Sequence, residues 1–269
     1  MLVRFIQWVL RQIVKWLPES LLRYTHRIVS QKLSRDALKD SLLTSIRDEI
    51  RHDTPDDALR FVFSIDTALY PIESSLSVAY GDGVHSKHRH MRYHDFFTQR
   101  IQANERVLDI GCGIGALAFS IAQETGASVI GIDYDENNIK FAQERHTADN
   151  VQYILGDVYE YTQTQTFDVV VMSNVLEHLT ERPALLRRIA QQTQAKRFLI
   201  RVPRFDRHWS VPLKKELGIE WRLDDDHEIE FTPESFAEEM AQAQLTIQQI
   251  EYRWDEIWAE LSSDSNATQ

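Results

Sequence analysis

The 269-residue chain carries a formal net charge of −11 and has a pI near 5.4. This balance disfavours a general nucleic-acid-binding protein, which needs a basic surface, so we predict no nucleic-acid partner. The single cysteine, Cys112, excludes an intramolecular disulfide and fits the reducing cytoplasm, where we expect the protein to reside. A hydrophobic fraction of 43% is ordinary for a globular chain with one core, or with a core and an added segment.

The N-terminus is basic although the whole chain is acidic, with seven Lys or Arg against one Glu in residues 1–35. Polar residues recur every three or four positions over residues 2–17, which predicts an amphipathic helix. Its basic residues exclude a secretory signal and a membrane-spanning helix. The helix either packs on the protein or a second copy of the chain, or it lies on the inner face of a membrane. Start signals at Pro18, Ser34 and Thr54 predict further helices in an N-terminal helical region, residues 1–80.

A stretch rich in histidine and arginine precedes the first predicted strand. A single helix reaching Ile101 would place His90 and His94 on one face, four residues apart. Three interpretations are open: a metal site, a solvated helix face, or a lid that offers donors to an anionic ligand. Interleaved Lys and Arg oppose a cation, and we predict no metal site. For the lid, Arg89 and Tyr93 are the expected cofactor contacts.

A strand, a glycine turn and a helix are predicted in succession around Gly111, Gly113 and Gly115. The glycines permit positive φ and close approach of a ligand, and the start of the following helix favours an anionic or polar group. The pattern Gly111-x-Gly113-x-x-Ala116 also satisfies the dinucleotide fingerprint, in which Asp133 would bind a ribose. Asp109, two residues before the first glycine, instead suits a cofactor that carries an amino group.

Strand and helix patterns alternate from residue 106 onward, which predicts a parallel sheet with helices on both faces. The predicted strands cover residues 106–110, 128–132, 151–155, 168–173 and 197–202, and the predicted helices cover 115–124, 137–146 and 182–192. A last helix begins near Thr232, followed by a hairpin of residues 246–253 and 256–261 and a disordered tail, 262–269. Because ligands bind at the carboxyl ends of such strands, one site there is expected to gather the side chains Asp109, Asp133, Asp157 and Asn174.

The stretch from Asp109 to Gly115 resembles motif I of class I S-adenosylmethionine-dependent methyltransferases. Three later segments extend the resemblance in order: Val129-Ile-Gly-Ile-Asp133-Tyr134, Val151-Gln-Tyr-Ile-Leu-Gly-Asp157-Val158 and Phe167-Asp-Val-Val-Val-Met-Ser-Asn174-Val-Leu-Glu177-His178-Leu. The resemblance implies S-adenosylmethionine as cofactor, with the ribose hydroxyls on Asp133 and the adenine amino group on Asp157. Tyr134, Val158 and Asn174 are assigned to the same cofactor site.

The same resemblance implies a fold. We expect a doubly wound, seven-stranded, mostly parallel α/β sheet with a C-terminal antiparallel hairpin, in a core of residues 81–261. The preceding helices are expected to lie over the cofactor and to shape the acceptor pocket.

Methyl transfer requires alignment of the reacting atoms, and a hydroxyl acceptor also requires a base. His178 is the first candidate for the base, and its alternative role is a structural hydrogen bond. His227 is the second candidate, and His208 with Trp209 is predicted to contact the acceptor.

Two segments are similar to methyltransferases of bacterial cell-surface polysaccharide and secondary-metabolite pathways. The first joins His85-Ser-Lys-His-Arg89 to Tyr93-His-Asp-Phe-Phe97, and the second joins Arg201-Val-Pro203 and Asp225-Asp-His227 to Phe231-Thr-Pro-Glu-Ser235. We therefore predict O-methylation of a sugar hydroxyl on a lipid-linked or nucleotide-linked glycan. A soluble small-molecule or natural-product O- or N-methyltransferase is the near alternative. A nicotinamide-dependent oxidoreductase and a catalytically silent binding subunit are the alternatives from other classes.

Overall fold

The computed structural model of the protein describes residues 33–82, 85–162 and 165–263. The predicted amphipathic helix of residues 2–17, with its membrane or partner contact, lies outside the described residues. Contacts divide the chain into two compact units between Ala68 and Leu69. None of the helices in the described ranges is long and apolar enough to cross a membrane.

Two helices and a short turn precede the core. They are α1 (Arg35–Glu49), the 3-10 turn Ile50–His52 and α2 (Pro55–Tyr80), which contains the boundary between the units. Ser34 caps α1, since its side chain accepts a hydrogen bond from the Ala37 N–H at 3.2 Å. The Thr54 hydroxyl likewise accepts from the Asp57 N–H at 3.4 Å, so both predicted helix starts are confirmed.

Seven strands of the described chain form one sheet in the order β3-β2-β1-β4-β5-β7-β6. They are β1 (Arg106–Ile110), β2 (Ser128–Asp133), β3 (Val151–Leu155), β4 (Val169–Ser173), β5 (Arg197–Pro203), β6 (Leu245–Arg253) and β7 (Glu256–Ser263). The first five are parallel, and β7 runs antiparallel to both β5 and β6. The predicted sheet is confirmed, and its strand order reverses between β1 and β4, where a ligand is expected to bind.

Five α-helices follow β1 in the described chain, and all but the fourth lie at nearly the predicted positions. They are α5 (Ala116–Thr125), α6 (Glu136–Arg145), α7 (Arg182–Thr193), α8 (Ser210–Glu216) and α9 (Pro233–Gln242). Successive residues of β1 face opposite sides, so that Val107 joins the buried cluster of Ile121 while Leu108 joins that of Ile189. Burial on both faces explains why the central strands are continuous apolar runs rather than alternating ones.

The C-terminal hairpin turns through Trp254 and Asp255, both in the left-handed region with φ of 51° and 68°. Its second strand extends beyond the predicted end at Leu261, because Ser263 donates its N–H to the Lys196 carbonyl at 3.1 Å. The first two residues of the predicted disordered tail are therefore strand, and the remainder lies outside the described residues.

The predicted single helix before β1 is wrong. Two short helices, α3 (Ser86–Met91) and α4 (Tyr93–Thr98), meet at Arg92, whose φ is 47°. Met91 and Phe96 are both buried, yet in one straight helix they would point about 140° apart. The break turns both residues toward the core, and it separates the two predicted histidines: His90 is exposed, whereas His94 is half-buried.

Candidate functional site

Two cavities open near the carboxyl ends of the parallel strands, and both have Gly111 in their walls. The first, about 490 Å³, is lined by residues that include Asp133, Tyr134, Asp157, Val158, Asn174, His178 and Asp226. The second, about 910 Å³, is lined by residues that include His85, His88, Tyr93, His94, Asp109, Cys112 and Gly113. The structure thus gathers the predicted strand-end side chains around one glycine turn.

Backbone hydrogen bonds fasten the glycine turn to the end of β2. Gly111 and Cys112 both donate their N–H to the Ile132 carbonyl, at 2.8 and 3.0 Å. Gly113 donates to the Asp133 carboxylate at 2.8 Å, and a Cβ on Gly113 would meet nothing within 4 Å. The turn is therefore held rigidly while its middle glycine leaves open space for a ligand to approach the backbone.

Gly111 allows a direct test of this geometry. Its φ is +67°, and a Cβ there would lie 2.5 Å from Cγ2 of Val175. Gly111→Ala combines backbone strain with a steric clash, so we expect a loss of about 1–3 kcal/mol in the free energy of unfolding. Urea unfolding of the purified variant measures this loss.

Gly126→Ala is the matched control. Gly126 ends α5 at a similar φ of +77°, but a Cβ there would lie 3.6 Å from that of Ala103, an ordinary contact distance. This variant bears the backbone strain without the clash, and we expect a smaller loss. Equal losses in the two variants would show that the contact between the turn and Val175 is unimportant.

Asp133 is a buried carboxylate whose orientation is fixed by three donors. Oδ1 accepts from the Asp135 N–H at 2.9 Å and from the Asn138 amide at 3.3 Å, while Oδ2 accepts from Gly113. A carboxylate has about four lone-pair positions, so it can accept further hydrogen bonds from the cavity side. These features fit the role predicted for Asp133, that of accepting hydrogen bonds from ribose hydroxyls.

Asp109 is 1% exposed, and its Oδ2 has no hydrogen-bond partner among the described residues. Burial, assisted by the negative charge of Asp133, raises the pKa of Asp109 to about 8. A buried carboxyl at a cavity wall without a partner is costly unless a ligand supplies a donor. The ammonium group of an amino-acid-like cofactor would supply both a donor and a positive charge.

The remaining predicted cofactor residues of the first cavity are more accessible. Asp157 is exposed, and its Oδ1 accepts a hydrogen bond from the Tyr159 N–H at 2.8 Å. Tyr134 is exposed and Val158 is half-buried. All three line the cavity, as the strand-end pattern requires, and their individual roles remain predictions.

The second cavity is lined by imidazoles and a phenol. Burial is the main cause that lowers the pKa of His94 to about 4, and its Nδ1 lies 2.8 Å from the Ser120 hydroxyl. Burial also lowers the pKa of His88. Both groups are consequently neutral hydrogen-bonding partners near pH 7. Tyr93 lines the same cavity, whereas the exposed Arg89 lies over the Tyr80 ring and lines neither cavity.

A buried arginine that was not predicted from sequence contacts residues of both cavities. Arg201, on β5, lies 3.9 Å from the centroid of the Tyr93 ring. Its Nε donates to the Asn174 amide oxygen at 3.1 Å and pairs with Glu256 at 2.9 Å. Asn174, at a φ of 55°, is thus fixed both by its backbone conformation and by its side chain. The sequence feature that could have indicated Arg201 is a cationic residue inside an otherwise apolar strand.

His178 ends the 3-10 turn Leu176–His178 after β4 and lines the first cavity. Its Nδ1 lies 3.3 Å from Oδ2 of Asp226, and its ring centroid lies 4.7 Å from that of His227. His227 is 3% exposed, with Nδ1 at 3.2 Å from Oε1 of Glu230. The structure brings the two predicted base candidates together, and His178 lines the first cavity, whereas His227 is not among the residues that line either of the two cavities described above.

Glu177 is the second residue that sequence analysis missed. Its side chain is fully buried, neither carboxyl oxygen has a partner among the described residues, and burial raises its pKa to about 8. Glu177, His178 and His227 each offer one ligand atom within 4.8 Å of the others, a group that could hold a metal ion. Because Glu177 and His178 lie far along the chain from His227, no local sequence spacing indicates this group, unlike the pair His90 and His94.

The predicted acceptor contacts lie elsewhere. His208 and Trp209 line neither cavity. The His208 Nδ1 is 2.7 Å from the Ser210 hydroxyl, and Trp209 is 67% exposed. The structure therefore places this pair on the surface next to α8.

Comparison with known sequences identifies the domain. Residues 101–258 match a family model described as a methyltransferase domain. Phosphoethanolamine N-methyltransferase 1 of Triticum aestivum is 36% identical over 91 residues, which cover 32% of this chain and 18% of the relative. A ubiquinone biosynthesis O-methyltransferase of Bradyrhizobium diazoefficiens is 32% identical over 122 residues, covering 44% of this chain and 47% of the relative. The chain thus matches less than half the length of either relative.

Solved structures support the fold. A putative methyltransferase in complex with the Haloferax volcanii Trm112 activator has a TM-score of 0.55 at 13% identity, covering 71% of this chain and 97% of its own. Magnesium protoporphyrin IX methyltransferase of Synechocystis, with bound S-adenosylhomocysteine (SAH), has a TM-score of 0.52 at 17% identity, covering 65% and 83%.

The family match covers more than half of the chain, and the antiparallel hairpin completes the expected sheet. These findings favour the methyltransferase motif over the dinucleotide fingerprint at the glycine turn, and they argue against the oxidoreductase alternative. The chain belongs to the class I S-adenosylmethionine-dependent methyltransferases.

Proposed function

We propose that the chain is an O-methyltransferase that acts on a hydroxyl group of a small molecule or glycan precursor. The observation that carries the proposal is that His178 lines the same cavity as Asp133, Asp157 and Asn174. A proton-accepting side chain is thereby placed beside the predicted cofactor groups. Such a base is needed when the acceptor is a hydroxyl, because its oxygen is a weak nucleophile while protonated.

S-adenosylmethionine, when bound, supplies an electrophilic methyl group on a sulfonium. In this proposal Asp133 binds the ribose hydroxyls, Asp157 binds the adenine amino group, and Asp109 accepts a hydrogen bond from the amino group of the methionine portion. The rigid attachment of Gly113 to Asp133 keeps these contacts in a fixed relation. Orientation of the reactants is the main contribution that a site of this kind makes to the rate.

His178 removes the proton of the acceptor hydroxyl as the oxygen forms its bond to the methyl carbon and the carbon–sulfur bond breaks. The carbon–sulfur electron pair remains on sulfur, which becomes a neutral thioether. Asp226, 3.3 Å from the His178 Nδ1, stabilises the imidazolium that forms. His227 packs edge-on against His178 and positions its ring.

The specific acceptor that we propose is a sugar hydroxyl in a lipid-linked or nucleotide-linked glycan. The relatives reported above are named for phosphoethanolamine and for ubiquinone biosynthesis, so the sugar acceptor is supported by the two similar segments and by the basic N-terminus. A lipid-linked acceptor would bring residues 2–17 to the membrane. The acidic run Asp224–Asp226 beside His178 also suits an amine acceptor, which the experiment below includes.

The test combines binding and transfer. Isothermal titration of SAH into the full chain should show binding, whereas NAD should give none. Incubation with methyl-labelled S-adenosylmethionine and cell extracts, separated into lipid-linked glycans, soluble glycans and amines, then identifies the acceptor class. Label in either glycan pool supports the proposal, and label in the lipid-linked pool also supports the membrane contact. Label in amines alone, or no SAH binding, would overturn it.

The raised pKa of Asp109 predicts a pH dependence of cofactor binding. Below about pH 8 the free protein holds a proton on this carboxyl, and binding an ammonium group favours its release. The affinity for SAH is therefore expected to rise with pH, by up to about tenfold per unit, and to level off above about pH 8. Titrations in two buffers of different ionisation enthalpy should show close to one proton released per ligand at pH 6.5.

Asp109→Asn is the control for this prediction. The amide has nearly the same shape but no ionisable proton, so the pH slope and the proton release should both disappear. An unchanged slope in this variant would assign the linked proton to another group.

A further inference from the structure

We propose that Glu177, His178 and His227 form a binding site for a divalent transition-metal ion at the wall of the first cavity. One ligand atom from each residue lies within 4.8 Å of the other two. Small side-chain rotations would close this spacing to the shorter separations that ligands of one ion require, at metal–ligand bonds of about 2.0–2.2 Å. Of the three side chains, that of His178 is the exposed one and can rotate.

Glu177 supplies the observation that points to a cation. Both of its carboxyl oxygens are buried and have no partner among the described residues. A buried carboxyl without partners is destabilising in an apolar setting, since its hydrogen-bonding capacity is lost. A bound dication would satisfy both oxygens and would supply the missing positive charge.

His227 is prepared as a metal ligand by its own partners. Its Nδ1 lies 3.2 Å from Oε1 of Glu230, a fully buried carboxylate that also pairs with Arg207. A proton on Nδ1 shared with Glu230 leaves the lone pair on Nε2 free for a metal. Metal-binding histidines usually donate their second ring N–H to a carboxylate in this way.

The site has room for further ligands. His178 and Asp226 line the first cavity, so an ion at this position can also bind water or an acceptor oxygen. Oδ2 of the exposed Asp224 lies 3.5 Å from the His227 Nε2, where it can act as an additional ligand or accept a hydrogen bond from a bound water. An open coordination position distinguishes a catalytic metal site from a closed structural one.

The donor set indicates the class of ion. Two imidazole nitrogens and one carboxylate favour Mn²⁺, Co²⁺ or Zn²⁺ over Ca²⁺ or Mg²⁺, which prefer oxygen ligands. This chemistry does not fit the His90 and His94 pair considered from sequence, because the helix break at Arg92 separates them.

The role of the ion in methyl transfer rests on the proposed function. An acceptor hydroxyl bound to the ion would lose its proton more readily, because a dication stabilises the alkoxide. His178 would then serve as a ligand rather than as the base. The proton would pass to Asp226, 3.3 Å from His178, and then to water. An acceptor with two neighbouring hydroxyl groups could bind the ion through both oxygens.

The test is metal binding, measured independently of activity. The full chain is freed of metal with a chelator and titrated with Mn²⁺ by calorimetry, and Co²⁺ is added to a second sample for visible spectroscopy. We expect one site and a Co²⁺ spectrum typical of nitrogen ligands. Loss of an outer-shell partner of a metal ligand typically lowers metal affinity by about 10–100-fold. Glu177→Gln and His178→Gln each remove a ligand itself, so each should lower the Mn²⁺ affinity by at least that much.

His52→Gln is the matched control, since it removes an exposed histidine from the other unit and should leave the affinity unchanged. Binding of SAH to the same samples reports the fold and the proposed function separately. Wild-type protein that binds SAH but no Mn²⁺, or variants that bind Mn²⁺ as tightly as wild type, would overturn the metal site alone. Protein that binds Mn²⁺ but no SAH would instead overturn the proposed function.

Discussion

His178→Gln is expected to reduce the rate of methyl transfer by about 10²–10⁴-fold, the range for loss of a general base. The residue lines the first cavity beside Asp226, and glutamine retains hydrogen-bonding capacity but cannot accept the proton. A metal ion held by His178 predicts a loss in the same direction. The measurement is the turnover of labelled S-adenosylmethionine with the acceptor pool that the wild-type protein methylates.

The loss should fall on kcat, because His178 is assigned to the acceptor side of the site. SAH affinity is expected to stay close to that of wild type. His90→Gln removes an exposed histidine that lines neither cavity and serves as the control. An unchanged rate in His178→Gln would leave this histidine with only a structural role, such as packing against His227.

Asp133→Ala is expected to weaken SAH binding by about 100-fold or more. The carboxylate is assigned to two ribose hydroxyls, and hydrogen bonds to a charged group contribute about 1.5–3 kcal/mol each. The substitution also removes the acceptor for the N–H groups of Gly113 and Asp135, so the glycine turn loses one of its attachments to β2 and keeps those of Gly111 and Cys112 to the Ile132 carbonyl. Calorimetric titration with SAH measures the effect.

Asp149→Ala controls for the general loss of a negative charge. Asp149 is exposed in the segment before β3, and it lines neither of the two cavities at the glycine turn. Its replacement should leave SAH affinity unchanged. If Asp133→Ala also bound SAH normally while retaining the fold, the ribose would have to lie elsewhere.

The sheet could be predicted from sequence because its signals are local. Short apolar runs and helical periodicity predicted every strand of the parallel part and the helices between them to within one residue at either end. The acidic residues at the strand ends then followed from the general geometry of parallel sheets, as Asp109 and Asp133 show.

Local patterns were less informative where tertiary packing opposed them. The sequence from 86 to 98 is helical by pattern, yet burial of both Met91 and Phe96 requires a break between them. The break removed the predicted pairing of His90 with His94. The exposure of Arg89 and Trp209 could likewise not be predicted from sequence, because residue type alone does not tell whether a side chain turns toward a cavity.

The sequence by itself determined the parallel strands with the helices between them, the glycine turn and the acids that surround it, since each depends on residues close along the chain. Only the tertiary structure joined Glu177 and His178 to His227. The segment carrying His227 folds back so that Glu228 donates its N–H to the Glu177 carbonyl at 2.7 Å, and Phe231 forms a bridge with Arg204. Such a contact depends on how the loop after β4 meets a distant segment, and no periodicity in either segment encodes it.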